Sequence, residues 1–179
     1  MTAAAEIQLR PVIEEDRPFL EQVYCTTREH EMALVPWTDE QKLAFLRQQF
    51  DAQWVHYNIQ YASGVHSLIL TGGTPAGRIF IERRPSEILI VDIALLPEYR
   101  GNGLGARVIA PILAEASREN LAVTGLVERW NPSCRFWHRM GFRLTPQDEF
   151  YYRIEWRSTD GQSTGSTTLR CESQFHRIT

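Results

Sequence analysis

Three glycines at alternate positions are the residues whose spacing points most clearly to chemistry. Gly101, Gly103 and Gly105 follow an apolar segment that ends at Pro97, and they open a segment of helical periodicity that begins at Leu104. Glycine lets backbone N–H groups turn toward one point, and a helix N-terminus carries about half a positive charge. The loop therefore predicts a cradle for a phosphate or another anion, built from the main chain rather than from basic side chains.

Two kinds of phosphate-binding protein use glycines at such spacings. Gly101, Gly103 and Ala106 satisfy the dinucleotide pattern GxGxxA, and Glu128 ends the next predicted strand. However, Glu128 lies 27 residues after Gly101, and 51 residues remain after it. That is too short for the further strand–helix units of a dinucleotide fold. We therefore discount a nucleotide-dependent oxidoreductase.

The better match is with a family of acetyltransferases. The segment RGNGLG at positions 100–105 resembles the R/Q-x-x-G-x-G/A signature of the GCN5-related N-acetyltransferases, the GNAT superfamily. The preceding DIALLPEYRG is similar to the central strand of that family and its entry into the pyrophosphate loop. A second segment, NPSCRFWHRMGF at positions 131–142, resembles the family's N…(F/L)Y…GF signature. The two motifs occur in the family's order, and the resemblance covers about Ile7 to Arg157.

This resemblance implies an α/β (α+β) fold in one GNAT-like domain, residues 1–157, followed by a Ser/Thr-rich tail at 158–179. Its central sheet is mixed, mostly antiparallel and about seven strands wide, with helices on both faces. The fourth and fifth strands, expected at Ile88–Leu96 and Val123–Arg129, are parallel in the family and splay apart around acetyl-CoA.

The resemblance also implies the contacts with acetyl-CoA. Backbone groups of Ile93, Ala94 and Leu95 are expected to pair with the pantetheine arm, and the Leu95 N–H to polarise the thioester carbonyl. Asn131 is expected to bond the same arm, and Trp137 to lie beside it. The pyrophosphate is expected on six consecutive residues, Arg100, Gly101, Asn102, Gly103, Leu104 and Gly105.

The implied reaction is the direct attack of a primary amine on the thioester. An amine of pKa about 8 to 10 is mostly protonated at neutral pH, so a base or a water chain must remove its proton. Asp92 and Glu128 are the candidate bases, because each lies on a strand that flanks the expected cleft. One residue of register turns either side chain to the other face of the sheet, so the choice between them stays open.

Trp137 departs from the family pattern, because many members carry a tyrosine there that protonates the departing thiolate. An indole N–H donates a hydrogen bond but is no general acid at neutral pH. Tyr57, Tyr99 and Tyr151 are candidate substitutes. The departure keeps a second interpretation open, a non-catalytic module of the same fold that binds or senses acyl-CoA.

The acceptor side is predicted less sharply. In the family, two N-terminal helices and their connection cover the amine site, which places Glu29, Glu31 and Trp37 near the acceptor. The two carboxylates are suited to a cationic amine, although the pattern favours a solvated charge cluster. The five histidines show no metal-ligand spacing, so no metal is expected.

Composition limits the classes of partner. The chain of 179 residues carries 19 basic and 22 acidic side chains, a net charge of −3, so no nucleic-acid partner is expected. No apolar run approaches the roughly 18 residues of a membrane helix, so no membrane partner is expected either. Three widely spaced cysteines and the absence of a signal-peptide pattern predict a cytoplasmic protein. A homodimer is left open.

Hydrophobic periodicity predicts the elements that must position these residues. A capping box at Thr38–Gln41 should begin a long helix whose apolar side chains run from Leu43 to Tyr61. Pro111 should kink the helix that follows the glycine loop. The predicted strands are Ile7–Pro11, His66–Thr71, Arg78–Arg83, Ile88–Leu96, Val123–Arg129, one after Gly141, and Phe150–Arg157; the predicted helices are Glu14–His30, the one from Thr38, Leu104–Asn120 and Pro132–Met140.

Overall fold

The structure, a computed structural model, describes residues 5–158 and is built around one seven-stranded sheet. The strands are antiparallel to their neighbours except for the fourth and fifth, which are parallel. This confirms the predicted mixed, mostly antiparallel sheet. The strands are β1 (Ile7–Pro11), β2 (Val65–Thr71), β3 (Thr74–Arg83), β4 (Glu87–Leu95), β5 (Ala122–Glu128), β6 (Arg143–Pro146) and β7 (Tyr151–Trp156), and their order in space is β1-β2-β3-β4-β5-β7-β6.

Helices cover both faces of the sheet, as predicted. Two of them pack on one face over β2, β3 and β4, and the other two pack on the opposite face. The part of the chain that the structure describes contains no helix long and apolar enough to cross a membrane. Apart from Ser158, the predicted tail at 158–179 lies outside the described residues. The helices are α1 (Arg17–Ala33), α2 (Asp39–Gln60), α3 (Leu104–Arg118) and α4 (Cys134–Arg139).

The start of α2 confirms the predicted capping box. The Gln41 N–H donates to the Thr38 hydroxyl at 3.2 Å, and the Thr38 N–H donates to the Gln41 side-chain oxygen at 3.0 Å. These two bonds satisfy backbone donors that the first turn of a helix leaves without intrahelical partners. The helix therefore begins at a defined residue, which sets Leu46 and Phe50 against the sheet.

Pro111 lies inside α3, which continues from Leu104 to Arg118. The proline is exposed, while Val108, Ile109 and Ile112 are buried against the sheet. The bulky ring therefore faces away from the core, where the loss of one backbone hydrogen bond leaves the packing intact.

An extra residue in β4 changes which side chains face each core. Ile81 of β3 pairs with Ile90 of β4, but Phe80 pairs with Asp92, so Val91 is the additional residue of a β-bulge. Ile90 before the bulge and Ile93 after it both pack in the core beneath α3. The bulge therefore turns Asp92 to the face of the sheet that α1 and α2 cover.

Gly77 of β3 provides a test of the packing beside this strand. It pairs with Leu95, and a Cβ atom at Gly77 would collide with the carbonyl oxygen of Ala94. Because that oxygen belongs to a central strand, Gly77→Ala should lower the free energy of unfolding by about 2 kcal/mol or more, as measured by urea denaturation. Gly105→Ala is the control, since its Cβ would lie 3.5 Å from the Phe136 ring. Alanine is favoured over glycine within helices, so the control should be at least as stable as the unmodified chain. Equal losses in the two variants would contradict this packing.

Candidate active site

The sheet opens between β4 and β5. Their parallel pairing runs from Glu87–Ala122 to Ile90–Gly125, and beyond it the two strands diverge. A Cβ atom at Gly125 would lie 2.9 Å from the Ile90 carbonyl oxygen, so glycine permits the last close contact before the divergence. The result is a cleft between residues 91–95 and 126–128, which confirms the predicted splay.

Backbone groups of β4 line one wall of this cleft. The Leu96 N–H donates to the Ala76 carbonyl oxygen across to β3 at 2.9 Å. Because amide directions alternate along a strand, the amide groups of Ala94 also face β3, whereas those of Ile93 and Leu95 face the cleft. The predicted donor, the Leu95 N–H, therefore points into the space between the strands.

The opposite wall follows the same rule. The Arg129 N–H donates to the Phe150 carbonyl oxygen at 2.9 Å, continuing the ladder between β5 and β7. Alternation then directs the amide groups of Leu126 into the cleft. Backbone N–H and C=O groups without a partner in a neighbouring strand need other hydrogen-bond partners. The cleft therefore suits a ligand that itself carries amides.

The glycine loop lies between the end of β4 and the start of α3. Gly101 and Gly103 have φ angles of 76° and 84°, in the left-handed region that favours glycine, and Gly103 is the N-cap of α3. A Cβ atom at either position would meet nothing within 4 Å. The Leu104 N–H donates to the Asn102 side-chain oxygen at 3.3 Å. The N-terminus of α3, where the helix dipole is positive, thus adjoins open space, as an anion site requires.

Arg100 makes contacts that its sequence motif did not predict. Its Nε donates to the Leu95 carbonyl oxygen at 2.8 Å, and its Nη2 donates to the Thr26 hydroxyl oxygen at 2.9 Å. The side chain therefore ties the end of β4 to α1, while the Arg100 backbone enters the glycine loop. Its expected contact with a pyrophosphate stays a prediction.

Asn131 stabilises the turn between β5 and α4. Its side-chain oxygen accepts from the Ser133 N–H at 2.9 Å, and its own N–H donates to the Glu128 carbonyl oxygen at 3.0 Å. The residue is half-buried at the carboxyl end of β5. The oxygen thus caps the turn, and a contact between the side chain and the pantetheine arm stays a prediction.

Glu128 lies at the end of β5 on the face that α1 covers. Its carboxylate is 3.7 Å from the Arg28 guanidinium of α1, and Arg28 also contacts Glu31 at 2.8 Å. Tyr151 of β7 lies directly opposite Glu128 in the antiparallel register. A half-buried carboxylate, a cation and a phenol therefore meet on one side of the cleft.

Asp92 faces the same side of the sheet but is held by a buried cation. One carboxylate oxygen lies 2.7 Å from Nε of Arg78, whose side chain is 3% exposed. The two atoms form an ion pair that departs from hydrogen-bond geometry. Arg78 further donates to the Leu20 carbonyl oxygen and to the Gln53 side chain. One oxygen of the Asp92 carboxylate is therefore already engaged by a buried guanidinium.

Two titratable side chains adjoin this ion pair. Burial, followed by the Asp92 carboxylate, raises the pKa of Tyr57, which makes this phenol a poor proton donor. Burial, followed by the Arg78 charge, lowers the pKa of His66 from 6.5 to about 4. His66 is therefore neutral at physiological pH and stacks on Phe80 at 5.1 Å.

Trp137 belongs to the core beneath α3 and α4. Its side chain is 4% exposed and packs edge-on against Phe136 at 4.9 Å and Phe142 at 5.0 Å. This packing explains an indole at this position through volume and shape. Its expected contact with the cofactor stays a prediction.

The three predicted acceptor residues separate in the structure. Glu31 contacts Arg28 and so adjoins Glu128. Glu29 instead lines a pocket of about 280 Å³ between α1 and α2. Trp37 lies in the connection between these helices and packs edge-on against Phe45 at 5.4 Å. Of the three, Glu31 is the one that the structure brings beside a candidate base.

Sequence reasoning missed Arg78 and the apolar surroundings of Glu128. Arg78 stands out in the sequence as a charged residue before the apolar run Ile79–Ile81, and such a cation inside a central strand predicts a buried partner. The sequence did not indicate that Leu126, Trp130 and Phe150 would be exposed, because strand periodicity does not tell which face of a sheet another element covers.

Comparison with known proteins identifies the family. The sequence profile of the acetyltransferase (GNAT) family matches residues 17–142, more than half of the chain. The chain belongs to the GNAT family. No curated protein sequence matches it significantly.

Solved structures share the fold of this GNAT protein at low sequence identity. The PaiA N-acetyltransferase from Thermoplasma acidophilum, in complex with coenzyme A, is 15% identical, with a TM-score of 0.65 over 86% of this chain and 99% of that one. An acetyltransferase from Thermus thermophilus is 17% identical, with a TM-score of 0.61 over 87% and 100%. The Campylobacter jejuni N-acetyltransferase PseH, in complex with acetyl coenzyme A, is 14% identical, with a TM-score of 0.53 over 86% and 100%.

The described residues of this GNAT protein fit coenzyme A. The open space before α3 suits its phosphates, and the amide groups that face the cleft suit its pantetheine amides. Within residues 5–158, no group of three or more His, Cys, Asp or Glu side chains is placed to hold a metal ion.

The Arg78–Asp92 ion pair gives a prediction about stability. Arg78→Met should lower the free energy of unfolding by about 3–5 kcal/mol, because it leaves the Asp92 carboxylate without its buried cation. The double variant Arg78→Met/Asp92→Asn should recover part of this loss in chemical denaturation. Arg157→Met, which breaks an exposed pair with Glu155, is the control and should change stability by less than about 1 kcal/mol. A double variant no more stable than Arg78→Met would contradict the pairing.

His66 gives a prediction about pH. Its pKa is about 4 in the folded chain and 6.5 in the unfolded chain, so between these values the unfolded chain binds more protons. The stability that the neutral imidazole contributes is complete above pH 6.5 and is lost as pH falls toward 4. Relative to His66→Phe, the unmodified chain should lose about 2 kcal/mol between pH 7.5 and 5.0 in urea denaturation. The exposed control His138→Phe should match the unmodified chain, and a flat difference for His66→Phe would refute the assignment.

Proposed function

We propose that this protein is an N-acetyltransferase that moves the acetyl group of acetyl-CoA to a primary amine in a ternary complex. The observation that carries the proposal is the cleft between β4 and β5, with an anion loop after one strand and the Glu128 carboxylate at the end of the other. The catalytic domain would comprise residues 1–157, with the tail at 158–179 outside it.

The main chain would hold the cofactor. Acetyl-CoA supplies an acetyl group activated as a thioester. The first turn of α3 and the glycine loop would bind its phosphates, and the cleft-facing amide groups of Ile93 and Leu95 would pair with the pantetheine arm. The Leu95 N–H would donate to the thioester carbonyl oxygen, where negative charge develops during attack. One such donor typically contributes about 3–4 kcal/mol to catalysis.

Glu128 is the base that we propose for the amine proton. An attacking amine is mostly protonated at neutral pH, so its proton must move to a carboxylate directly or through water. Glu128 is half-buried on the α1 side of the cleft, and its nearest cation is 3.7 Å away. Asp92 is the alternative, but its carboxylate is held at 2.7 Å by Arg78. The geometry thus favours Glu128.

Tyr151 is the phenol best placed to donate a proton to the departing thiolate. It is exposed and lies opposite Glu128, whereas Tyr57 is half-buried and has a raised pKa. Tyr99 packs partly against both cores. A thiol of pKa about 8.5 leaves without strong assistance, so Tyr151 would assist the reaction rather than be essential.

A non-catalytic module that binds acyl-CoA is the second candidate function. Trp137 favours it, because this core residue occupies the position where many family members carry a tyrosine acid. Such a module would bind acetyl-CoA and release no CoA with any amine. Turnover therefore separates the two functions, and binding alone does not.

Replacing the proposed base tests the mechanism. Glu128→Gln should lower kcat by about 10²- to 10⁴-fold while the increase in melting temperature with acetyl-CoA remains, because the carboxylate moves a proton and the main chain binds the cofactor. CoA release is measured with a thiol reagent. Glu119→Gln, an exposed change at the end of α3, is the matched control and should retain full activity. Retained activity in Glu128→Gln, combined with a folded but inactive Asp92→Asn, would assign the base to Asp92.

A further inference from the structure

Four apolar or aromatic side chains stand exposed around the end of β5 and the start of β7. Leu126 is 57% exposed, Trp130 66%, Phe150 56% and Tyr151 37%. The Trp130 and Phe150 rings meet edge to face at 6.1 Å. We name this group of four residues the apolar wall. Large exposed apolar groups that cluster in this way commonly mark a binding surface.

Two residues of the apolar wall, Leu126 and Tyr151, flank the candidate base. Leu126 and Glu128 are two residues apart on β5 and share one face of the sheet, and Tyr151 lies directly opposite Glu128 on β7. Trp130 follows two residues after Glu128. The Arg28 contact places α1 on this side of the sheet, so the Leu126 and Tyr151 side chains lie on the face that α1 borders. Trp130 lies in the turn after β5 and Phe150 directly precedes β7, so this pair stands at the ends of the two strands. A molecule that reaches the Glu128 carboxylate must therefore pass beside apolar side chains.

The charges beside the apolar wall favour a cation at its centre. Arg28 lies between two carboxylates, at 2.8 Å from Glu31 and 3.7 Å from Glu128. One positive and two negative charges leave this cluster with a net negative charge. An ammonium group is attracted there, while a large apolar substituent on the same molecule covers the wall.

We propose that the acceptor is a primary amine that carries an aromatic or branched aliphatic group close to its nitrogen. This inference rests on the proposed function, and it names the substrate class of that site. Such an acceptor places its nitrogen at Glu128 and its apolar group on Trp130, Phe150 and Leu126. The ammonium nitrogen loses one proton to Glu128 and forms a bond to the acetyl carbon. The bond between that carbon and the CoA sulfur breaks, and the second proton that the nitrogen loses passes to the departing thiolate, which leaves as the CoA thiol.

Matched amines measure this preference. Two amines with a large apolar group, 2-phenylethylamine and 3-methylbutylamine, are compared with two small amines, ethylamine and ethanolamine. Each is assayed with acetyl-CoA. Each buried methylene contributes about 0.8 kcal/mol, or roughly four-fold in binding, so kcat/KM for the two apolar amines should exceed that for ethanolamine by at least ten-fold. Release of CoA thiol gives the rates.

Variants of the apolar wall locate the preference. Trp130→Ala and Phe150→Ala should each reduce kcat/KM for 2-phenylethylamine by about five-fold or more and leave ethanolamine turnover within two-fold. Ile59→Ala, which removes another exposed apolar side chain on α2, is the control and should change neither rate. Calorimetry with acetyl-CoA should give the same affinity for all three variants, because none of them touches the cleft-facing main chain.

The possible failures are distinguishable. Equal kcat/KM for apolar and polar amines overturns this inference and leaves the proposed function in place. Acetyl-CoA binding with no turnover of any amine overturns both and favours the binding module. If the unmodified chain sediments as a dimer and the Trp130→Ala variant as a monomer, the apolar wall is a dimer interface. That result also overturns the inference.

Discussion

The end of the parallel pairing at Ile90 and Gly125 is the constraint on which the rest of the structure depends. A central strand normally pairs along both edges, but β4 beyond Ile90 keeps β3 on one edge and faces an open cleft on the other. Val91 adds the residue that lets the strand bend there. Unpaired amides inside a sheet need hydrogen-bond partners, and a ligand in the cleft would supply them where the neighbouring strand is missing. Binding of the proposed cofactor in the cleft would therefore also stabilise the sheet.

Arg78 holds the neighbouring helices to this interrupted strand. Its guanidinium pairs with Asp92 on β4 and donates to the Leu20 carbonyl oxygen on α1 and to Gln53 on α2. One buried cation therefore connects a strand to both helices of that face. Removal of either charge would leave the other charge buried without a partner, which is strongly destabilising. The pair is therefore structurally necessary even where the intact pair adds little to the stability of the fold. Asp92 is thus better suited to anchoring than to accepting a proton.

The sequence predicted much of the fold because its evidence is local. The capping box at Thr38 and the glycine loop before Leu104 each depend on neighbouring residues, and the structure places both as expected. The side-chain contacts of the site depend on residues far apart in the chain. Neither the position of Arg28 near Glu128, one hundred residues later, nor the bulge at Val91 follows from periodicity. Trp137 shows the same limit, because the motif located the residue but not its burial.

The bulge at Val91 has a consequence for how this sequence can diverge. If β4 instead paired regularly through Val91, each later side chain in the strand would reverse its facing, and Asp92 would enter the apolar core beneath α3. The amide groups that now face the cleft would turn toward β3 at the same time. Substitutions do not change the number of residues in β4, so the bulge stays necessary to keep Asp92 out of that core. A related sequence can therefore lose this bulge only together with one residue of β4, because a deletion at Val91 keeps each later side chain on its present face.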